Sequence, residues 1–260
     1  MINLGLQILP HLQGRLHIQV NPFDAYSTQR TIAAAQRIIH LFEHLSPDLK
    51  AQDHVCIKIP STWEGLQACR VLERDYGIST LATTLFALEQ AAVAAEAGCR
   101  YIAPYVNELA VHFEEGFVDP SPNRHVCVQA QLYFEKHGYT RTAALPASLT
   151  SISECMSLAG VKDITIAPTL LRELNTTTSP DISANNDEFK SLFDNEEYVK
   201  KITDELPQQP LGLIDDEEKF RMLFTRRDGG KQEIKQIKAI NVFADMQVKM
   251  EGIVRTYLRG

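Results

Sequence analysis

The chain has 260 residues, a formal net charge of −7, 44% hydrophobic and 23% charged residues. That length suits one α/β barrel domain with a sizeable core. The acidic balance, with no basic run of the kind that tracks a phosphate backbone, argues against a nucleic-acid partner. No apolar run approaches the roughly 20 residues of a membrane span, and Met1 to Pro10 is too short and polar-flanked for a signal peptide. Cys56, Cys69, Cys99, Cys127 and Cys155 are scattered and odd in number. They fit reduced thiols in a cytoplasmic protein, with neither a disulfide framework nor a metal site.

In chain order, residues 2–12 read as the end of a helix, with a break at Gly14. Leu16 to Asn21 alternates as a strand: Leu16, Ile18 and Val20 face helices, and His17, Gln19 and Asn21 face the other way. Pro22 ends it. Residues 28–45 form an amphipathic helix with Ile32, Ala35, Ile38, Ile39 and Phe42 on one stripe. A strand at 55–60 leads to a helix at 62–76, with Ser61 as its cap, Glu64 completing a capping box, and Gly77 closing it. The next strand, 78–84, carries Ser79, Leu81 and Thr83 on one face. An alanine-rich helix at 86–97 stops at Gly98. A strand follows at 101–106, with Ala103 and Tyr105 inward. A loop with Pro120 and Pro122 leads to a helix at 123–137, a strand at 140–147, a helix at 151–159 and a last strand at 163–167. This alternation predicts α/β architecture with a parallel sheet.

From 175 to 212 the pattern lapses into an irregular excursion with one short helical patch, Glu188 to Lys200, read as a surface feature. Helices at 215–224 and 231–258 then pack back, with Phe243, Met246, Met250, Ile253 and Val254 as their apolar stripe. The chain is therefore expected to be a single domain. Residues 1–174 supply barrel units, 175–212 the excursion, and 213–260 the C-terminal helices.

The chemistry centres on Lys58. Val55, Ile57 and Ile59 lie on the helix-facing side of their strand, so Cys56 and Lys58 point inward. Burial disfavours an ammonium and lowers its pKa, and a neutral amine attacks carbonyls to form a Schiff base. The bland alternative is a lysine that snorkels out at a strand end.

Ile57-Lys58-Ile59-Pro60-Ser61-Thr62-Trp63-Glu64-Gly65 closely resembles the lysine segment of transaldolases, whose lysine forms a Schiff base with a ketose phosphate. Gly77-Ile78 with Thr83, Leu85 and Phe86, then Gln90-Ala91 and Ala95-Glu96-Ala97-Gly98, resembles the family's next strand and helix. Ile102 to Val106 resembles the strand after that. Leu158-Ala159-Gly160, Thr165 to Pro168 and Leu170 to Leu174 resemble the last strand and its exit. The resemblance covers residues 2–175 clearly and the C-terminal helices loosely. It implies a TIM-type (β/α) barrel. Only six of the family's eight strand–helix units are recognisable, because Met1 to Leu12 resembles the second outer helix. The aspartate on the family's first strand has no counterpart. Two strand edges, at Leu16–Asn21 and Asp163–Ala167, would then be covered by the termini or recruit another copy in a homo-oligomer. A truncated gene is a further expectation consistent with that count.

Carried over position by position, the resemblance puts Gln19 where the family has a glutamate. Glutamine holds a water but does not take its proton. The family's asparagine falls on Leu81, its threonine on Thr83 and a serine on Ala103. Its two phosphate-binding arginines fall on Glu108 and Thr150, while the neighbouring serine survives as Ser148. Replacing two guanidinium groups by a carboxylate and a hydroxyl removes the charge and fork that suit a phosphate. Arg124 and Arg141 are the remaining cations considered, although arginines at strand starts lie on the opposite face of a barrel. The expected catalytic set is Lys58, Thr83, Gln19 and Tyr105. Tyr105 is a replacement acid/base group, because another class of Schiff-base aldolases uses tyrosine, or else barrel filling. Ser148, Ser79 and Asn21 are expected to bind substrate, and His17 is read as a core histidine.

Two functions follow. One is a transaldolase-like enzyme of carbohydrate metabolism, working without cofactor or metal on a small carbonyl compound that lacks phosphate. The other is an inactive barrel fragment acting as a binding or structural partner.

Overall fold

The computed structural model describes residues 1–177 and 189–259. Part of the expected excursion, 178–188, lies outside the described residues.

Helix α1 (Ile2–Ile8) precedes strand β1 (Leu16–Gln19), helix α2 (Thr28–Leu45), a single turn α3 (Ala51–His54) and strand β2 (Val55–Pro60). Then come α4 (Trp63–Asp75), β3 (Thr80–Leu85), α5 (Leu88–Glu96), β4 (Tyr101–Pro104), α6 (Arg124–His137) and the short β5 (Ala143–Ala144). After these, α7 (Ile152–Ser157), α8 (Pro168–Thr176), α9 (Glu196–Glu205), α10 (Glu217–Arg226) and α11 (Lys231–Arg259) are all helical.

The strands form one parallel sheet in the order β1-β2-β3-β4-β5. It curls strongly. The rings of His17 on β1 and Tyr101 on β4 are 5.4 Å apart, whereas three strand spacings in a flat sheet would be about 14 Å. The sheet is thus a curved wall of barrel type, with helices outside.

Alternation sorts the two faces as the sequence predicts. Ile18, Val20, Val55, Ile57, Ile59, Ala82, Ile102 and Ala144 join Ile38, Phe42, Leu66 and Leu72 in the outer core against the helices. Cys56, Leu81, Ala103, Tyr105 and Ala147 form a second, inner cluster. That cluster is completed by Ala239, Val242 and Phe243 of α11, so the C-terminal helix fills the concave side. Three backbone N–H groups at Gly212, Leu213 and Ile214 donate to the Glu96 carboxylate at 2.8, 2.8 and 2.9 Å. They anchor the segment that leads to α10, whose Phe220 ring lies 5.4 Å from Trp63.

Four expectations need correction. The α4 cap is Thr62, which accepts from Gly65 N at 3.0 Å. The Ser61 hydroxyl is instead committed to Thr83 O at 2.7 Å. The segment 163–167 is not a regular strand, but Asp163 N donates to Ala144 O and Thr165 N to Pro146 O, so it still lies along the free edge of β5. Of the expected helical patch, Glu188 lies outside the described residues; the rest is a 3-10 turn at Leu192–Asp194 followed by α9 from Glu196, which Asn195 caps by accepting from Tyr198 N at 2.9 Å. Finally, Met250, Ile253 and Val254 do not pack back on the barrel; they are exposed.

Candidate active site

Lys58 is the penultimate inward residue of β2, between Gln19 of β1 and Leu81 of β3 in the pairing register. Its side chain is half-buried. Burial lowers its pKa, with the neighbouring Cys56 acting in the opposite direction. Among the described residues it has neither an ion-pair nor a hydrogen-bond partner, unlike Lys235 and Lys238. An amine in that state is closer to its nucleophilic, neutral form than a solvated lysine.

His17 lies on the same face of β1, two residues before Gln19. Its ring is open to solvent on one side. Surrounding protein and the Lys58 charge lower its pKa to about 4, so it is neutral beside Lys58 at physiological pH. It contacts Tyr101 and is not enclosed as a core histidine would be.

Above Lys58, toward the C-terminal ends of the strands, Thr83 Oγ1 and Tyr105 OH share a hydrogen bond of 3.1 Å. Tyr105 is buried, with Phe86 packed edge-on at 5.5 Å. Burial pushes its phenol up to about 12, against the opposing effect of the Thr83 bond. It is therefore a hydrogen-bond donor near neutral pH and not a base. Thr84 next to it takes φ +53°, and its carbonyl accepts from Gln236 of α11 at 3.3 Å.

The other expected site residues are dispersed. Ser148 sits beyond β5 at φ +62°, with its hydroxyl 2.9 Å from His112 Nε2. Asn107 Nδ2 holds both the Ser148 carbonyl and the Glu154 carboxylate at 2.9 Å. Ser79 precedes the first residue of β3, where its carbonyl accepts from Ile57 N; it is at the opposite end of the sheet from Thr83. The Asn21 side chain accepts from Phe23 N at 3.1 Å and closes the turn after β1. With Gln19 it also lines a groove of about 500 Å³ bounded by α1, α2 and α11.

The two positions that correspond to phosphate-binding arginines carry local structure instead. Glu108 pairs with Lys238 at 3.0 Å. Thr150 donates its N–H to Glu154 at 2.7 Å. Arg141 binds Gly98 O and Glu73 at the strand starts, away from this end. Arg124, at the start of α6, acts electrostatically on Tyr198 of α9.

Several contributors escaped sequence reasoning. Lys235, Gln236 and Lys238 sit on α11, more than a hundred residues from Asp119, Thr84 and Glu108, which they bind. His112 belongs to a 3-10 turn with no motif around it. Their only local signal is that Lys235, Lys238 and Val242 recur at three- and four-residue helical spacing. Among the described residues, no group of three or more His, Cys, Asp or Glu is placed to hold a metal ion, and no helix is long and apolar enough to cross a membrane.

Comparison with known proteins agrees with this architecture. The family model described as Transaldolase/Fructose-6-phosphate aldolase matches residues 1–213. The chain is 28% identical over 263 residues to a Drosophila melanogaster protein named "Probable transaldolase", covering 98% of this chain and 72% of that protein. It is 34% identical over 185 residues to a "Transaldolase" of Yersinia pseudotuberculosis, covering 69% of this chain. It is also 34% identical over 178 residues to a "Transaldolase" of Vibrio cholerae, covering 66% of this chain. The aligned parts span 57% and 55% of those two bacterial proteins, little more than half their length. With the family model matching most of the chain and a lysine-bearing parallel sheet of barrel type, the chain belongs to the transaldolase/fructose-6-phosphate aldolase family.

Proposed function

We propose that the protein is a transaldolase-like Schiff-base enzyme with Lys58 as nucleophile, acting on a small carbonyl compound that carries no phosphate. The observation that carries this reading is the state of Lys58: inward, half-buried, shifted toward the neutral amine and without a counter-ion among the described residues. Its neutral Nζ attacks the substrate carbonyl carbon, and loss of water from the carbinolamine leaves an imine. The bond between the α and β carbons of the protonated imine then breaks: the β-hydroxyl gives up its proton to a water, its carbon leaves as an aldehyde, and the bonding electrons form an enamine. The enamine left on Lys58 adds to an acceptor aldehyde, and water then hydrolyses the imine to free the amine. Gln19, the neighbour of Lys58 in the strand register, holds that water in this reading. The neutral phenol of Tyr105, oriented by Thr83, donates a hydrogen bond to developing oxyanions.

The absence of phosphate from the substrate is supported by the partners of Glu108 and Thr150. A phosphate arriving there would meet the Glu108 and Glu154 carboxylates, already matched to Lys238, Asn107 and Thr150. Uncharged hydroxyl groups of a sugar suit the Ser148 and His112 pair better. A cytoplasmic location accords with five free, buried thiols.

A second reading, a non-catalytic binding or structural protein, is favoured by two observations. Among the described residues no carboxylate pairs with Lys58, and α11 closes the inner face over Leu81, Ala103 and Tyr105. Borohydride trapping separates the two. The protein is incubated with dihydroxyacetone, fructose 6-phosphate or unphosphorylated ketoses, reduced, and mapped by mass spectrometry. The enzyme reading expects an adduct on Lys58 with unphosphorylated compounds, lost in Lys58→Ala. No adduct with any compound supports the second reading. Best trapping by fructose 6-phosphate would overturn the statement about phosphate.

A further inference from the structure

Beyond β5, Leu145 N and Ala147 N continue the parallel bonding to the Ile102 and Pro104 carbonyls, and α7 begins at Ile152. Ser148 sits on the turn between strand and helix at φ +62°, a left-handed conformation that serine keeps only where its surroundings hold it. They do hold it. The Ala147 carbonyl accepts from Val106 N at 2.9 Å. Buried Asn107 binds the Ser148 carbonyl through Nδ2 at 2.9 Å, and the Glu154 carboxylate fixes both Asn107 and the Thr150 N–H. A sharp, strained strand-to-helix turn is one way in which acyl-transfer enzymes expose a serine hydroxyl.

This hydroxyl also has a base. Ser148 Oγ lies 2.9 Å from His112 Nε2, within reach for proton transfer. His112 ends a 3-10 turn whose first residue, Leu109, is anchored in the inner cluster. Burial lowers the pKa of the imidazole and Glu154 opposes this, so the ring is neutral at physiological pH and a carboxylate is near to favour the cation once a proton arrives. Ser148 is half-buried and His112 exposed, so a ligand can reach the pair. Among the described residues, the N–H groups of Ser148 and Leu149 donate to no other group, which leaves them available for an oxyanion.

We propose that Ser148 and His112 form a second reactive site, which takes the acyl group from uncharged carboxylic esters and passes it to water. His112 Nε2 takes the hydroxyl proton as Ser148 Oγ bonds to the ester carbonyl carbon, whose π electrons move onto its oxygen. The N–H groups of Ser148 and Leu149 receive that oxyanion. Collapse reforms the carbonyl and breaks the bond to the alcohol oxygen, and the alcohol leaves with the proton from His112. Water then attacks the acyl-serine while His112 takes its proton. The second collapse returns that proton to Ser148 Oγ and releases the carboxylic acid. Charge selects the ester. Glu154 has no cationic partner among the described residues, so an ester with a negative charge of its own is disfavoured. Exposed Phe113, edge-on to His112 at 6.4 Å, offers an apolar surface to a short acyl chain. Lys58 lies on β2, with β3 and β4 between it and this turn, and the reaction does not depend on it.

Hydrolysis of p-nitrophenyl acetate by the full chain tests the proposal. Nitrophenolate release above the spontaneous rate is expected, with the acetyl group mapped to Ser148 by mass spectrometry after an acid quench. Hydroxylamine should remove that acetyl group, as it removes an ester and not a lysine amide. Ser148→Gly takes away the hydroxyl and tolerates the positive φ. It should lower release about a hundredfold with circular dichroism unchanged, and His112→Gln should do the same. The p-nitrophenyl ester of succinic acid, which carries a free carboxylate, should react about tenfold more slowly than the butyrate ester. Acetyl found only as hydroxylamine-stable amide on lysine overturns the proposal. So does release that is no faster than the spontaneous rate, or that is unchanged in Ser148→Gly. Equal rates for the succinate and butyrate esters would overturn the assigned substrate class.

Discussion

Gln19 stands beside Lys58 across the β1–β2 pairing, an amide next to an amine that has no counter-ion among the described residues. A carboxylate at residue 19 would favour the ammonium and would also take a proton from a bound water. Gln19→Glu is therefore expected to raise the Lys58 pKa, moving the midpoint of the pH profile for imine trapping upward. If the scarcity of a base limits turnover, the same change should speed imine hydrolysis at least about tenfold. A trapping profile that does not move would show that residue 19 and Lys58 are not coupled.

Among the described residues the Tyr105 hydroxyl has one partner, Thr83 Oγ1 at 3.1 Å. Tyr105→Phe leaves the buried Thr83 hydroxyl without it and should cost about 1 kcal/mol in urea denaturation. In the enzyme reading, adduct formation on Lys58 persists while carbon–carbon cleavage slows about a hundredfold. Equal loss of trapping and cleavage would assign Tyr105 to packing alone. Because burial holds the phenol up to about 12, wild-type activity between pH 6 and 9 should show no inflection from this group.

The period-two pattern made much of this legible. Val55 to Pro60 is a strand with the faces that alternation assigns, and Thr28 to Leu45 is a helix with Ala35, Ile38, Ile39 and Phe42 inward. Local rules failed where a distant group competes for the same atom. Ser61 has the spacing of a capping residue, but Thr83 O takes its hydroxyl, and the cap moves to Thr62. The segment at 163–167 has strand-like residues, yet its two bonds, to Ala144 of β5 and to Pro146 beyond it, are too few to regularise it. For the site, the motif led to Lys58, but nothing local announces that α11 brings Lys235 and Lys238 to Asp119 and Glu108. The apolar stripe of α11 was visible in sequence; the exposure of its last turns depends on where the body ends in space.

Titration of the inner face should appear in stability. His17 has a folded pKa of about 4 against an ordinary 6.5. The unfolded chain thus binds more protons between those values, and stability falls as pH drops from about 6.5 toward 4. Lys58 acts with the same sign at higher pH: its lowered folded pKa means that stability rises with pH through the window between that pKa and 10.5. His17→Gln should flatten the acid limb of a melting-temperature profile, and Lys58→Met the alkaline one. An unchanged acid limb in His17→Gln would show that its imidazole titrates alike in both states.

Lys235 and Asp119 form the most enclosed ion pair among the described residues, at 2.9 Å with side chains 9% and 0% exposed. Burial alone would raise the Asp119 pKa, but N–H groups of Glu108 and Ser121 and the Lys235 ammonium together lower it. Lys235→Met keeps the stem and removes the charge, leaving a carboxylate with two N–H donors in a dry site. It should cost about 3–5 kcal/mol by urea denaturation. The loss should shrink in Lys235→Met with Asp119→Asn, since the uncompensated charge is then gone. Both residues tie α11 to the loop after β4, so the single variant should also release α11 from the inner face. Faster hydrogen exchange at Ala239 and Ile240 would report that release, whereas protection equal to wild type would place the anchor of α11 in its apolar contacts with Leu81 and Tyr105.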